Sequence, residues 1–133
     1  MANLVKVKKL VSGSRNVLLS VFLKSDGVTG ELNEEVILDP VEDLGLTTKA
    51  RLTLQRIEYN IAGFDAIIEF DSGSVDDNFK WVMSEGANAP VDFRPWSGLV
   101  DDSGMDGNGK LKISTVGFTS STDMGSILIS LRV

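Results

Sequence analysis

The sequence predicts an all-β protein, either an antiparallel β-sandwich of about seven to eight strands or a closed barrel. Two observations indicate this class. Apolar and polar residues alternate with a period of two in several short segments. Turn-forming residues separate those segments about every eight to twelve positions. The 133 residues, 42% hydrophobic and 24% charged, predict a single globular domain spanning 1–133, with a core of its own.

The central stretch Arg51–Phe70 predicts two long strands that form a hairpin around a tight turn at Asn60–Gly63. In its second arm Phe64, Ala66, Ile68 and Phe70 share one face.

The first arm of this stretch changes parity between Leu54 and Ile57, which predicts a bulge near Gln55-Arg56. A helix over Thr48–Ile61 is the competing interpretation, because apolar residues there also fit helical spacing. Its β-branched and aromatic residues favour the strand.

The other elements follow from the same period. The predicted strands are Leu4–Val11, Arg15–Lys24, Glu35–Leu38, Asn78–Met83, Lys110–Ser114 and Gly125–Val133. The segments Pro40–Lys49 and Ser84–Gly109 are predicted to be a connection and a long irregular region.

Apolar residues on both faces of Arg15–Lys24, including Leu18 and Phe22, predict a strand that is buried between layers. The residues expected in the core are Leu19, Val21, Leu54, Ile68, Phe70, Trp81, Ile113 and Ile129.

Two residue types are missing. The chain has no Cys and no His, which excludes disulfides, Cys-based zinc sites and Ser-His-Asp or Cys-His catalysis. No apolar run approaches the ~20 residues of a membrane span, and the first residues do not form a secretory signal. We therefore expect no enzyme, no cofactor and no membrane partner.

Charge is unevenly distributed along the chain. The net charge is −6, but residues 1–24 carry five bases and no acid, whereas residues 25–48 carry seven acids and no base. The acidic total argues against a nucleic-acid partner. Lys6 and Lys8 are candidates for a contact surface, and the simpler interpretation is that they protect an edge strand from aggregation.

Two groups of carboxylates could carry chemistry. The Asp101–Asp106 loop resembles a calcium loop, but counting from Asp102 places Gly104 and Ile113 where an EF-hand has ligands. Glu69 and Asp71 could form a glycosidase pair, although charged residues at a strand end are usually its solvated rim. We expect no metal site and no catalytic residue.

The segment VDFRPW holds the best candidates for recognition, Phe93, Arg94 and Trp96. Aromatic residues and arginine dominate the energetics of protein interfaces. The alternatives are that Trp96 stacks on a sugar ring, or that it folds back onto the core.

The whole pattern resembles the small structural proteins of tailed-bacteriophage virions. The segments that carry the resemblance are RNVLLSVFLKSDG, LTLQRIEYNIAGFDAIIEFDS, FKWVMSEGANAPVDFRPW and FTSSTDMGSILISLRV. The resemblance implies a jelly-roll-like fold and a capsid decoration (cement) protein of the virion. It also implies that the chain binds the major capsid protein or other virion proteins, and that it forms a homo-oligomer, with a trimer favoured. The alternative function is a carbohydrate-binding or receptor-recognition module.

The failure of the EF-hand spacing generates a prediction about metal. Adding EDTA should leave the melting temperature unchanged, because the Asp101–Asp106 loop lacks two of the ligands that an EF-hand uses to bind Ca²⁺. A thermal melt with and without EDTA measures this. A drop of several degrees that calcium restores would contradict it.

Overall fold

Buried and exposed side chains alternate along most strands, and the strands form two antiparallel sheets that pack face to face. The structure, a computed structural model, describes residues 3–12, 16–32, 35–45, 52–71, 78–87, 90–100 and 109–132. The predicted all-β antiparallel sandwich is confirmed.

The described residues form eleven strands, one α-helix and one 3-10 helix at Arg94–Trp96. The elements are β1 (Leu4–Ser12), β2 (Asn16–Lys24), β3 (Glu35–Leu38), α1 (Pro40–Leu44), β4 (Thr53–Ala62), β5 (Asp65–Phe70), β6 (Asn78–Met83), β7 (Gly86–Ala87), β8 (Val91–Asp92), β9 (Leu99–Val100), β10 (Leu111–Val116) and β11 (Met124–Arg132).

The strand order identifies the type of sandwich. Sheet A runs β1-β2-β11-β4, with the two-residue strands β7, β8 and β9 all paired to β4, and sheet B runs β3-β10-β5-β6. If β7, β8 and β9 are taken as one broken strand, the two sheets without β1 have the arrangement of a jelly roll. Strand β1 extends sheet A beyond β2.

The core lies between the sheets and contains the side chains that the period of two predicts. One face of β2 contributes Val17, Leu19, Val21 and Leu23, and one face of β11 contributes Ile127, Ile129 and Leu131. The predicted bulge is confirmed, because the register with β11 shifts between Leu54 and Arg56. The buried residues on the two sides of the bulge are Leu54 and Ile57, which are three positions apart instead of two.

The predicted hairpin is wrong, although both of its strands form. Strand β4 pairs only within sheet A and β5 only within sheet B, so the chain crosses the sandwich at Gly63-Phe64. Gly63 has φ +91°, and a Cβ there would lie 1.9 Å from Oδ1 of Asp123. Both the left-handed backbone and the close approach therefore require glycine.

Near Gly63, carboxylates accept hydrogen bonds from the backbone of the segments that connect the two sheets. Glu31 accepts hydrogen bonds from the backbone N–H groups of Gly117 (2.7 Å) and Phe118 (2.5 Å). Glu85 accepts one from Gly63 N–H at 3.0 Å. Asp123, which is buried, accepts N–H groups of its own loop at 2.9 and 3.1 Å.

Two segments predicted to be irregular contain regular structure. The predicted connection Pro40–Lys49 begins with α1, whose first residue is Pro40 and whose first turn is favourable for proline and acids. Within the predicted irregular region, β7, β8 and β9 pair successively with β4. Pro90, Pro95 and Gly98 separate them, so the edge strand is broken rather than absent.

Two predictions of burial are corrected. Trp81 is 37% exposed, because β6 is the end strand of sheet B and no further strand covers its side among the described residues. Leu18 and Phe22 are only partly buried, since they lie on the outer face of sheet A. The other residues expected in the core are buried.

The core assignment generates a prediction about stability. Ile68→Ala should lower the free energy of unfolding by about 2 to 5 kcal/mol, because it removes a buried side chain and leaves a cavity. Its neighbour Ile67 is partly exposed, so Ile67→Ala is the matched control and should cost clearly less. Urea denaturation of both variants measures the difference. Equal losses would show that Ile68 does not face the core.

Candidate docking face

Four of the five predicted interface residues lie in regular elements. Lys6 and Lys8 belong to β1 of sheet A, and Arg94 and Trp96 belong to the 3-10 helix between β8 and β9. Lys6 and Lys8 lie opposite Phe22 and Ser20 on the outer face, away from the core. Arg94 lies at the other side of that face, where it lines a groove with Leu18. Because β1 and β4 are three strands apart, about 14 Å separates the two borders.

Phe93 belongs to the core instead. It is 3% exposed, and its ring makes an edge-to-face contact with Trp81, with ring centroids 5.0 Å apart and an interplanar angle of 69°. This contact closes one side of the sandwich, since Trp81 comes from the end strand of sheet B. The candidate interface residues that remain exposed are therefore Lys6, Lys8, Arg94 and Trp96.

Trp96 is 75% exposed on a hydrogen-bonded segment. Its backbone N–H donates to the carbonyl oxygen of Phe93 at 3.0 Å, and Gly98 N–H donates to the same oxygen at 2.8 Å. A Cβ at Gly98 would lie 2.4 Å from Cγ2 of Thr53, so the loop is packed closely on β4. The indole is therefore presented from a fixed backbone, and it is not folded back onto the core.

Asp92 holds Arg94 in place. The guanidinium donates from Nε at 2.8 Å and from Nη2 at 2.6 Å to the two carboxylate oxygens, and Arg94 N–H donates at 2.9 Å. These bonds, with a smaller contribution from the charge of Arg56, lower the pKa of Asp92 to about 2. The pair stabilises the fold above pH ~4, and this contribution is lost as the pH falls toward 2.

The outer face of sheet A contains two shallow grooves. The first, of about 250 Å³, has Leu18 and Leu128 beside Arg56, Arg94 and Ser130.

The second groove, of about 300 Å³, adjoins the first at Leu128 and is lined by polar residues that include Ser20, Asn60 and Ser126. The two grooves therefore combine apolar atoms with hydrogen-bonding groups, which is a composition typical of surfaces that contact another protein.

The charge of this face is opposite to that of the chain. Among the residues that the structure describes, its basic side chains are Lys6, Lys8, Lys24, Arg56, Arg94 and Arg132, and its acidic ones are Glu58 and Asp92. Six bases against two acids leave an excess of four positive charges, although the chain carries −6 in total. We call this surface the basic face. The remaining residues of the sequence, with 17 acids and 7 bases, are correspondingly acidic.

The sequence did not indicate that Lys24, Arg56 and Arg132 join this surface. They are far apart in the chain, and the register of β2, β11 and β4 brings them to one side. Each of these residues occupies an exposed position in a strand with alternating burial, and that position can be predicted from the sequence. The alternation does not show which strands lie in the same sheet, so it does not predict that the three residues share a surface.

The carboxylates considered for catalysis have structural partners. Ser114 Oγ donates to Glu69 Oε1 at 2.9 Å, and Glu69 is buried. Lys112 Nζ lies 3.5 Å from Asp71 Oδ2 in an ion pair. The Asp101–Asp106 loop lies outside the described residues. Within the described ranges, no group of three or more acidic side chains is arranged to hold a metal ion.

Comparison with other proteins gives no match: no family model, curated protein or solved structure is significantly similar to this chain. Among the residues that the structure describes, no helix has the length and apolar character needed to cross a membrane.

The Asp92–Arg94 pair generates a prediction about titration. The carboxyl of Asp92 should titrate near pH 2 in the wild type, and Arg94→Gln should raise its pKa toward 3.8, because the side-chain bonds are lost. NMR detection of the side-chain carboxyl measures both values. Lys24→Gln, which alters a base at the other end of the face, should leave the pKa unchanged. An Asp92 pKa that does not respond to Arg94→Gln would contradict the assignment.

Proposed function

We propose that this chain is a non-enzymatic structural protein of a tailed-bacteriophage virion, a decoration (cement) protein that binds and stabilises the assembled capsid. The observation that carries the proposal is the basic face, which presents an excess of four positive charges on one side of an acidic protein. The jelly-roll sandwich and the resemblance of the sequence to small virion proteins support it.

The charge distribution favours a single orientation on a partner. An acidic protein surface attracts the basic face and repels the rest of the molecule, so encounters are steered toward one geometry. The major capsid protein, in its assembled form, is the proposed partner. Exposed charges contribute mainly to the association rate, and their contribution falls with ionic strength.

Lasting attachment requires buried contacts as well as charge. Trp96 offers a large apolar side chain on a fixed backbone, and tryptophan is among the residues that most often dominate binding energy. Asp92 restricts the rotamers of Arg94 before binding, so less side-chain entropy is lost in a complex. These two residues are the proposed anchors, Arg94 within the basic face and Trp96 in the same 3-10 helix.

Stabilisation of the shell then follows from mass action. A protein that binds the assembled shell but not its free subunits shifts the equilibrium toward assembly, by about 2.7 kcal/mol per site when its free concentration is 100 times Kd. No chemical step is needed. A homotrimer whose threefold axis is perpendicular to sheet A would present three basic faces to the shell together, which increases avidity.

Carbohydrate or receptor recognition is the second candidate function. The specific observation in its favour is the exposed indole of Trp96 in the same 3-10 helix as Arg94. Arg94 lines a groove that combines the apolar side chains of Leu18 and Leu128 with polar ones. Stacking of a sugar ring on an aromatic side chain, with hydrogen bonds from neighbouring polar groups, is a common mode of ligand binding. Saturable binding in a glycan screen that Trp96→Ala abolishes would favour this function.

Cosedimentation with purified capsids of the matching phage, across a salt series, tests the decoration function. The wild type should bind at micromolar concentration. Trp96→Ala should weaken binding with little dependence on salt, since buried area is lost. The double variant Lys6→Ala with Lys8→Ala should weaken it mainly at low ionic strength, since exposed charges are screened within about 8 Å at physiological salt.

Val82→Ala is the matched control, because Val82 is 56% exposed on the other sheet. It should bind like the wild type. If the wild type does not sediment with these capsids, the decoration function is wrong. If it binds and neither variant differs from the Val82 control, the function stands and the assignment of the basic face is wrong.

A further inference from the structure

Strand β1 is an end strand with an open side. It runs for nine residues and pairs along one side with β2, and in the described part of the chain no strand pairs with its other side. The opposite end of sheet A differs, because β7, β8 and β9 cover β4 there. The open side of β1 therefore offers backbone N–H and C=O groups along residues 4–9, up to a bulge at Leu10.

A groove of about 330 Å³ runs beside this strand, between the edges of the two sheets. Val5, Val7 and Lys9 line it from sheet A, Glu35, Val36, Ile37 and Leu38 line it from sheet B, and Asp43 lines it from α1. Its apolar part is formed by the two valines of β1 with Ile37 and Leu38. Val7 is 38% exposed although its side chain points inward, on the core side of the sheet. The inward apolar side chains Val5 and Val7 are thus left partly exposed at this edge.

One end of the groove is closed within the molecule. Lys9 Nζ donates to the carbonyl oxygen of Asp43 at 2.7 Å, which joins β1 to the end of α1. Inward side chains of an extended strand are about 6.6 Å apart, so the stretch from Val5 to Lys9 has room for about two of them. The groove fits a short apolar repeat with a period of two, rather than a helix.

The charges of β1 limit which strand fits there. Lys6 and Lys8 point to the outer face, and Leu4–Ser12 contains no acid. Pairing between the β1 strands of two copies would bring lysines together, and like charges on adjacent strands are destabilising. A strand with carboxylates on its outer face would instead place opposite charges beside Lys6 and Lys8.

We propose that the edge of β1 accepts an extended strand from a partner protein in which acidic and apolar residues alternate. The backbone of that strand continues sheet A, its carboxylates lie beside Lys6 and Lys8, and its apolar side chains fill the groove above Ile37 and Leu38. This deepens the proposed function and rests on it, because the partner strand would belong to a protein of the virion shell.

The test uses two synthetic peptides of identical composition and no capsid. The first is capped Glu-Val-Glu-Val-Glu-Val-Glu, and the second is capped Glu-Glu-Glu-Glu-Val-Val-Val, which has the same charge but no alternation. Calorimetry measures Kd, and ¹⁵N NMR of the protein locates the affected amides. The alternating peptide should bind at least about tenfold more tightly and should shift the amides of β1.

Two variants separate strand addition from simple charge attraction. Val7→Lys should weaken binding of the alternating peptide at least about tenfold, because its longer side chain occupies the space that the valines of the peptide need. Its positive charge by itself would attract this acidic peptide. Val116→Lys is the matched control, since Val116 is 55% exposed on the outer face of sheet B, and it should bind like the wild type. Thermal melts of both variants check that each is folded.

Equal affinity for the two peptides, or no binding of either at millimolar concentration, would overturn the proposal, and both results come from the wild type alone. Sedimentation velocity gives a further outcome: a wild-type dimer that Val7→Lys dissociates would overturn it, because a second copy would then occupy the groove. Failure of the peptide test leaves capsid cosedimentation unaffected. Failure of cosedimentation with a positive peptide test would mean that the strand acceptor serves a different partner.

Discussion

The structure depends on how the chain crosses between its two sheets near Gly63. A jelly roll exchanges strands between sheets repeatedly, and each crossing leaves backbone N–H groups without a partner in either sheet. Here carboxylates take those groups: Glu31 binds the turn after β10, Glu85 binds Gly63, and Asp123 binds its own loop. Because these crossings fix which strands are neighbours, they also determine which side chains meet on the outer face.

The pattern of the sequence predicted strands well and strand partners poorly, for a physical reason. Alternation indicates which side chains of a strand are buried, and β4 and the first part of β5 alternate as predicted. Glu69 is an exception, because it is buried on the other face of β5 instead of lying on a solvated rim. A hairpin and a crossing both require a tight, glycine-containing turn between two such strands. What distinguishes them here is the contact of Gly63 with Asp123, 60 residues later in the chain, and no local pattern contains that information.

The same limit applies to the candidate site. Phe93 and Trp96 are equally plausible as interface residues from their types, yet one packs on Trp81 and the other is exposed. Their difference depends on β6, the end strand of the other sheet, which supplies a partner for only one ring. Likewise, Lys6 and Lys8 could be found from the sequence, whereas Arg56 and Arg132 join them only through the strand register.

Strand β1 connects the two surfaces on which the proposed function depends. Since successive side chains of a strand point in opposite directions, Lys6 and Lys8 belong to the basic face, while Val5 and Val7 belong to the groove. The two rows of side chains act over different distances. The charges act over roughly a Debye length and would orient an approaching partner. The apolar row contributes to the binding free energy only when contact removes its surface from water. The proposed partner strand along β1 would therefore contact both surfaces, and the charges would orient it before its apolar side chains were buried.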